Sequence, residues 1–320
     1  MSLVITTSTS EGIVIGADSR QSYRNRKGMA RIGSDNAQKL FQINSRIGVA
    51  ITGLAFLEDE GILRNISFYI EDFKKKEEVE NLSVKDVAEK LHSLLEQKYR
   101  PKERFSELEK KINEELTQKG FSEIKINKQN NSLIYQFKDT NNKIQKGSAS
   151  VEMFVYSVSG FNSDGSFEVY VCNLMGEIKK KRDSNVRGME YGADWIGQSD
   201  VVSRIILGFD PRIQNIKSIN ETIQRIGKDK FNKEIQEVQY IIQWGTMTLQ
   251  DAIDFVDLMI KTTSAIQRFS DGIFAEPGGM PGVGGNVDIA VITADQGFIW
   301  VSRKNIIHQE NKIDIESFSK

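Results

Sequence analysis

What most constrains this chain is that its β-forming runs arrive two at a time, each pair closed by a short turn. Residues 3–9 (LVITTST) are rich in β-branched types, Ser10-Glu11-Gly12 turns the chain, and 13–17 (IVIGA) returns it. Residues 39–43 (KLFQI) and 47–52 (IGVAIT) repeat the move around Asn44-Ser45 and close on Gly53. Further on, 152–158 (EMFVYSV) and 167–171 (FEVYV) flank Asn162-Ser163-Asp164-Gly165, and a last pair, VDIAVIT and FIWV, flanks Asp295-Gln296-Gly297. Hairpins build antiparallel sheets, and such a sheet must bury at least one face.

Helical periodicity fills the intervals. From Leu54 to about Lys76 the apolar residues Leu57, Ile62, Ile66, Tyr69, Ile70 and Phe73 fall along one stripe. Ser83 then caps a second helix carrying Val84, Val87, Leu91, Leu94 and Leu95, so four strands precede any helix. Gly197 opens a helix through Ile206, and Thr248 with Asp251 caps another that bears Ile253, Val256, Met259 and Ile260. Strand pairs, two helices, strand pairs, two helices and a strand pair are the order expected of two facing sheets with helices outside. The expected class is α+β, a four-layer αββα sandwich. A single domain spans 1–320, interrupted by an inserted α+β subdomain at 101–148 and a helical insertion at 210–245.

Charge and composition narrow the partners. Lys and Arg number 43 against 44 Asp and Glu, a formal net charge of -1, so no global field favours nucleic acid or an anionic membrane. One cysteine, Cys172, excludes an internal disulfide, and with only His92 and His308 beside it the usual zinc clusters are excluded too. No cofactor and no metal is expected. Met1-Ser2-Leu3-Val4 lacks the basic and apolar regions of a signal peptide, and no apolar run approaches the ~20 residues that span a bilayer. A cytoplasmic protein without membrane or nucleic-acid partners is the expectation. His92 and Cys172 read as packed residues, and Lys74-Lys75-Lys76 and Lys179-Lys180-Lys181-Arg182 as solvated ends of elements.

The run Glu11-Gly12-Ile13-Val14-Ile15-Gly16-Ala17-Asp18-Ser19-Arg20, then Lys39-Leu40-Phe41-Gln42-Ile43 and Ile51-Thr52-Gly53-Leu54, resembles the first third of proteasome β-subunits and their bacterial relatives. Val256-Asp257-Leu258 through Gln267-Arg268, followed by Gly284-Gly285-Asn286-Val287-Asp288-Ile289-Ala290-Val291-Ile292-Thr293, is similar to the last helix and strands of the same family. The resemblance implies an N-terminal-nucleophile (Ntn) hydrolase that cleaves peptide or amide bonds. In that family an aspartate follows the N-terminal nucleophile by sixteen positions, and sixteen before Asp18 is Ser2. Fourteen positions separate Lys39 from Gly53, the family's spacing from lysine to oxyanion glycine.

By resemblance, then, Ser2 is the nucleophile once Met1 is removed, and its own α-amine is the base, with an ordinary pKa of about 7.7–8.0. Lys39 steadies the alkoxide, Asp18 holds Lys39, and the Gly53 amide serves the oxyanion. Ala37, Ile51 and Ala55 are expected to line an apolar P1 pocket, and a homo-oligomeric ring to enclose the sites; an attendant ATPase or regulator is left open. Two departures stand out. Gln198 replaces the family's serine, and Arg268-Phe269 replaces its Arg-Asp, so Asp271, two positions on, is expected to substitute. These departures favour one alternative, an inactive proteasome-like scaffold subunit; a small-molecule amidase lidded by 101–148 is another.

Overall fold

The computed structural model describes residues 2–25, 29–129, 132–274 and 276–304. The chain opens with eight strands: β1 (Leu3–Ser8), β2 (Ile13–Ala17), β3 (Gln21–Arg24), β4 (Ala30–Ser34), β5 (Leu40–Gln42), β6 (Ile47–Gly53), β7 (Phe56–Asp59) and β8 (Ile62–Asn65). Helices α1 (Ile66–Lys76), α2 (Val84–Tyr99) and α3 (Pro101–Gln118) follow, then β9 (Ser122–Gln129), β10 (Ser132–Lys138) and β11 (Ile144–Ser150). Next come β12 (Phe154–Phe161), β13 (Phe167–Asn173), β14 (Ile178–Asp183) and β15 (Gly192–Gly197), leading into α4 (Asp200–Leu207), α5 (Lys217–Ile226) and α6 (Lys228–Ile235). The chain then forms α7 (Leu249–Phe269), the short β16 (Gly272–Ile273) and β17 (Glu276–Pro277), and the closing hairpin β18 (Asp288–Thr293) and β19 (Gly297–Ser302).

The fold is mixed α and β with several antiparallel sheets. One five-stranded sheet runs β15-β1-β2-β18-β19 and the other β14-β13-β12-β6-β5. Three apolar clusters account for their faces. Val4, Ile13, Ile15 and Ala290 of the first sheet share one cluster with Leu40, Ala50, Phe161 and Val169 of the second. A second cluster joins Leu3, Ile5, Val14 and Val291 to Val202 and Ile206 of α4 and Val256 and Ile260 of α7. The third joins Val49, Ile51, Tyr156 and Cys172 to Ile66, Tyr69 and Ile70 of α1 and Val87, Leu91 and Leu95 of α2. Strand alternation explains the division, since odd and even residues of β1 enter different clusters. Burying each Val, Leu, Ile or Phe side chain among them stabilises by about 1.5–3 kcal/mol.

Several sequence-based expectations are corrected. Residues 56–65 form the β7–β8 hairpin, so the helix expected from Leu54 begins only at Ile66, where the Asn65 side chain accepts from Ser67 N at 2.9 Å. Eight strands, not four, precede it. Gly197 ends strand β15 rather than opening a helix, and α4 starts at Asp200. The lysine-rich run 179–182 lies within β14, an edge strand, where charge guards against edge-to-edge pairing.

The two interruptions differ in kind. Segment 101–148 holds α3, β9 and β10 and most of β11, and its Phe105, Ile112, Leu116 and Leu133 belong to the same cluster as α1 and α2. Segment 210–245 holds α5 and α6, neither of which has a buried residue. Tyr240 N donates to Ile206 O at 3.0 Å, so this excursion returns to the point where it left.

Candidate active site

Strand β1 is flanked on both sides, by β15 and β2, and this fixes Ser2 at the end of an interior strand. Ser2 is buried, and its carbonyl oxygen accepts from Gln198 N at 2.7 Å. Gly197 makes that approach possible: it has φ +92°, and a Cβ there would stand 2.0 Å from Ser2 O. Val4 faces the second sheet, so alternation along β1 turns the Ser2 side chain the same way.

From β2 the chain runs directly into Asp18, which is buried and takes four donors. Its Oδ1 accepts from Leu3 N at 3.0 Å and from Lys39 Nζ at 2.8 Å; its Oδ2 accepts from Arg20 N at 3.1 Å and Gly284 N at 3.0 Å. Lys39 precedes β5, where its carbonyl accepts from Ile51 N at 2.9 Å, and its ammonium also donates to Arg20 O at 2.5 Å. Burial pushes the Lys39 ammonium below the ordinary lysine value; the charge and hydrogen bond of Asp18 oppose that shift, while Lys304 and Arg20 add to it. Arg20 grips Asp35 through two hydrogen bonds, 2.7 and 3.0 Å, and that guanidinium holds the Asp35 carboxyl below the usual carboxylate range.

Gly53 ends β6 with φ +93°, where a Cβ would stand 1.9 Å from Met153 O. Alternation puts its N–H on the same edge as that of Ile51, toward Lys39. Ser2, Ala37, Lys39, Ile51, Gly53 and Ala55 line one cleft, together with the polar residues Gln21, Gln38 and Asn65. Its free volume is about 30 Å³.

Asp271 is the one expected site residue set apart from this cleft. It is exposed beyond the end of α7, and its carbonyl accepts from Gly278 N at 2.9 Å. Phe269 is 75% exposed with the Arg268 guanidinium 4.6 Å from its ring centre. Gln198 instead pairs with Gln267, near the end of α7. Gln267 Nε2 donates to Gln198 Oε1 at 3.1 Å, and Gln267 Oε1 accepts from Gly282 N and Val283 N at 2.9 Å each. Gln267 thereby ties the strand beside Ser2 to the loop that reaches Asp18. Beyond Gln198 opens a larger cavity of about 660 Å³, with Ser199, Arg204, Arg212 and Met280 in its wall.

Cys172 is buried, and burial pushes its thiol up to about 12, which leaves it inert at neutral pH. His308 lies outside the described residues. Among the described residues, no three His, Cys, Asp or Glu side chains are grouped so as to hold a metal ion, and no helix is long and apolar enough to cross a membrane. The chain matches no protein-family model, and a search of curated proteins finds no match.

Proposed function

We propose that this chain is a proteasome-like Ntn hydrolase that cleaves peptide or amide bonds through Ser2, on a four-layer αββα sandwich. The three apolar clusters support the fold part of the reading, because one lies between the two sheets and each of the others lies between a sheet and helices. The observation that carries the chemistry is the meeting of Ser2, Lys39 and Gly53 around one cleft while Asp18 grips the Lys39 ammonium. Removal of Met1 frees the Ser2 α-amine, which takes the Oγ proton as Oγ bonds to the substrate carbonyl carbon. The Gly53 N–H and the Lys39 ammonium bear on the negative charge that develops. The C–N bond then breaks, the proton leaves with the amine, and water hydrolyses the acyl ester to return free Ser2. Such a base is worth about 10²- to 10⁴-fold in rate.

Intact mass before and after excess β-lactone tests this. Loss of Met1 and one adduct on Ser2 are expected; retained Met1, or a free Ser2 that does not react beside a reacting proteasome control, ends the reading. The second outcome favours an inactive scaffold, the alternative to which exposed Phe269 lends weight. The reading also includes a homo-oligomeric ring, which a native mass corresponding to the 36.2 kDa monomer alone would exclude.

Ala37, Ile51 and Ala55 in the cleft wall support an apolar P1 preference. Acyl-alanine or acyl-leucine amides should exceed acyl-aspartate and acyl-lysine ones in kcat/KM by about tenfold or more, as fluorogenic amides would report; equal rates would sink the preference.

A further inference from the structure

Behind the Asp18–Lys39 pair lies a second buried ion pair, Asp288 with Lys304. The Lys304 ammonium contacts Asp288 Oδ2, Lys304 N donates to Asp288 Oδ1 at 3.0 Å, and both side chains are almost wholly buried. An ion pair so enclosed loses most of its Coulombic gain to desolvation, so stability alone is a poor account of it. Its third contact is the informative one: Lys304 Nζ donates to Ser19 Oγ at 2.9 Å.

Ser19 is fully buried, and its place in the chain gives that contact meaning. The Lys39 ammonium donates to Asp18 Oδ1 and to Arg20 O, one on each side of Ser19. Ser19 N donates to Gly284 O at 2.9 Å, and Ser19 O accepts from Ala37 N at 2.9 Å, so its backbone is also held at both ends.

We propose that Lys304 is a positioning residue for Lys39: by holding Ser19 it fixes the Asp18-Ser19-Arg20 turn that grips the Lys39 ammonium, and it sets a second cation behind that ammonium. The charged groups that bear on Lys39 are Asp18, Arg20 and Lys304, with Asp35 engaged by Arg20 and Asp288 by Lys304. Two of the three direct influences are cationic. Lys304 therefore favours proton loss from Lys39, whereas Asp18 resists it. The role in catalysis rests on the hydrolase reading above; the coupling between the two lysines does not.

The experiment is an NMR titration of lysine 13Cε signals in the full chain, with the Lys39 signal assigned by Lys39→Arg. Lys304→Met should raise the Lys39 titration midpoint by about half a pH unit or more, and Lys304→Arg, which keeps the charge, should restore the wild-type value. An unmoved Lys39 midpoint in Lys304→Met overturns the proposal. If that variant does not fold because Asp288 is left unpaired, Lys304→Met with Asp288→Asn is read in its place, with the same upward direction expected. Ser2 reactivity is followed on the same samples. A moved midpoint in a protein that never takes the β-lactone keeps the coupling and removes the hydrolase; a reactive protein with an unmoved midpoint does the reverse.

Discussion

A methyl group at residue 197 would sit 2.0 Å from the carbonyl oxygen of Ser2, on a backbone whose φ of +92° already disfavours any side chain. Gly197→Ala should therefore cost on the order of 3 kcal/mol and also displace Ser2, so urea unfolding and β-lactone labelling should both suffer. Ser2→Ala, by contrast, should abolish the adduct and leave the unfolding midpoint within about 0.5 kcal/mol of wild type. If Gly197→Ala labels normally, the Gln198–Ser2 rung does not position Ser2 for the proposed reaction. Ser2, Asp18, Lys39 and Gly53 were singled out by the family resemblance, and their strands bring Ser2, Lys39 and Gly53 to one cleft with Asp18 on the Lys39 ammonium. Gly284 opens one of the family-like runs, but nothing local to it tells that its N–H reaches Asp18 from 266 positions away, and Lys304, which reaches Ser19 across 285, belongs to no such run. Asp271 was misleading for the converse reason: nearness in sequence to Arg268 does not carry it past the end of α7, where it is exposed.

At the level of elements, legibility followed the strength of the turn and cap signals. Ser83 and Thr248 each close a capping box, with Asp86 and Asp251 respectively, and both helix starts were read correctly. The β7–β8 hairpin turns on Glu60 and Gly61, both at positive φ, but glutamate at the first turn position is a weak cue, and Leu57, Ile62 and Ile66 also fit a helical stripe. Strand β14 was hidden by its own lysines. Helix α2 carries a more subtle cost: His92 Nδ1 is buried with no hydrogen-bond partner among the described residues, and burial holds its pKa below the ordinary 6.5, against the pull of Glu96. Between that lowered value and 6.5 the unfolded chain binds more protons than the folded one, so stability falls as pH drops through this window and levels off below it. His92→Leu should remove this dependence. Thermal unfolding from pH 7 to 5 should show wild type losing ground to the variant; a constant difference would refute the assignment.

For the whole molecule, the two interruptions predict opposite responses to surgery. Phe105, Ile112, Leu116 and Leu133 share a cluster with α1 and α2, so replacing 101–148 by a short linker strips the cover from the helical face of the second sheet. Its Tm should fall by more than about 10 °C; a Tm within a few degrees of wild type would mean that this segment is ornament. The excursion that begins after α4 is different, because Tyr240 N closes on Ile206 O at 3.0 Å whatever hangs between them, and α5 and α6 bury no residue. The entropy of closing such a loop grows only with the logarithm of its length. That junction is therefore a socket. A compact fluorescent domain with adjacent termini, spliced in for 211–238, should leave Tm within about 2 °C of wild type and put a light source within reach of Gln198, whose backbone N–H donates to the Ser2 carbonyl.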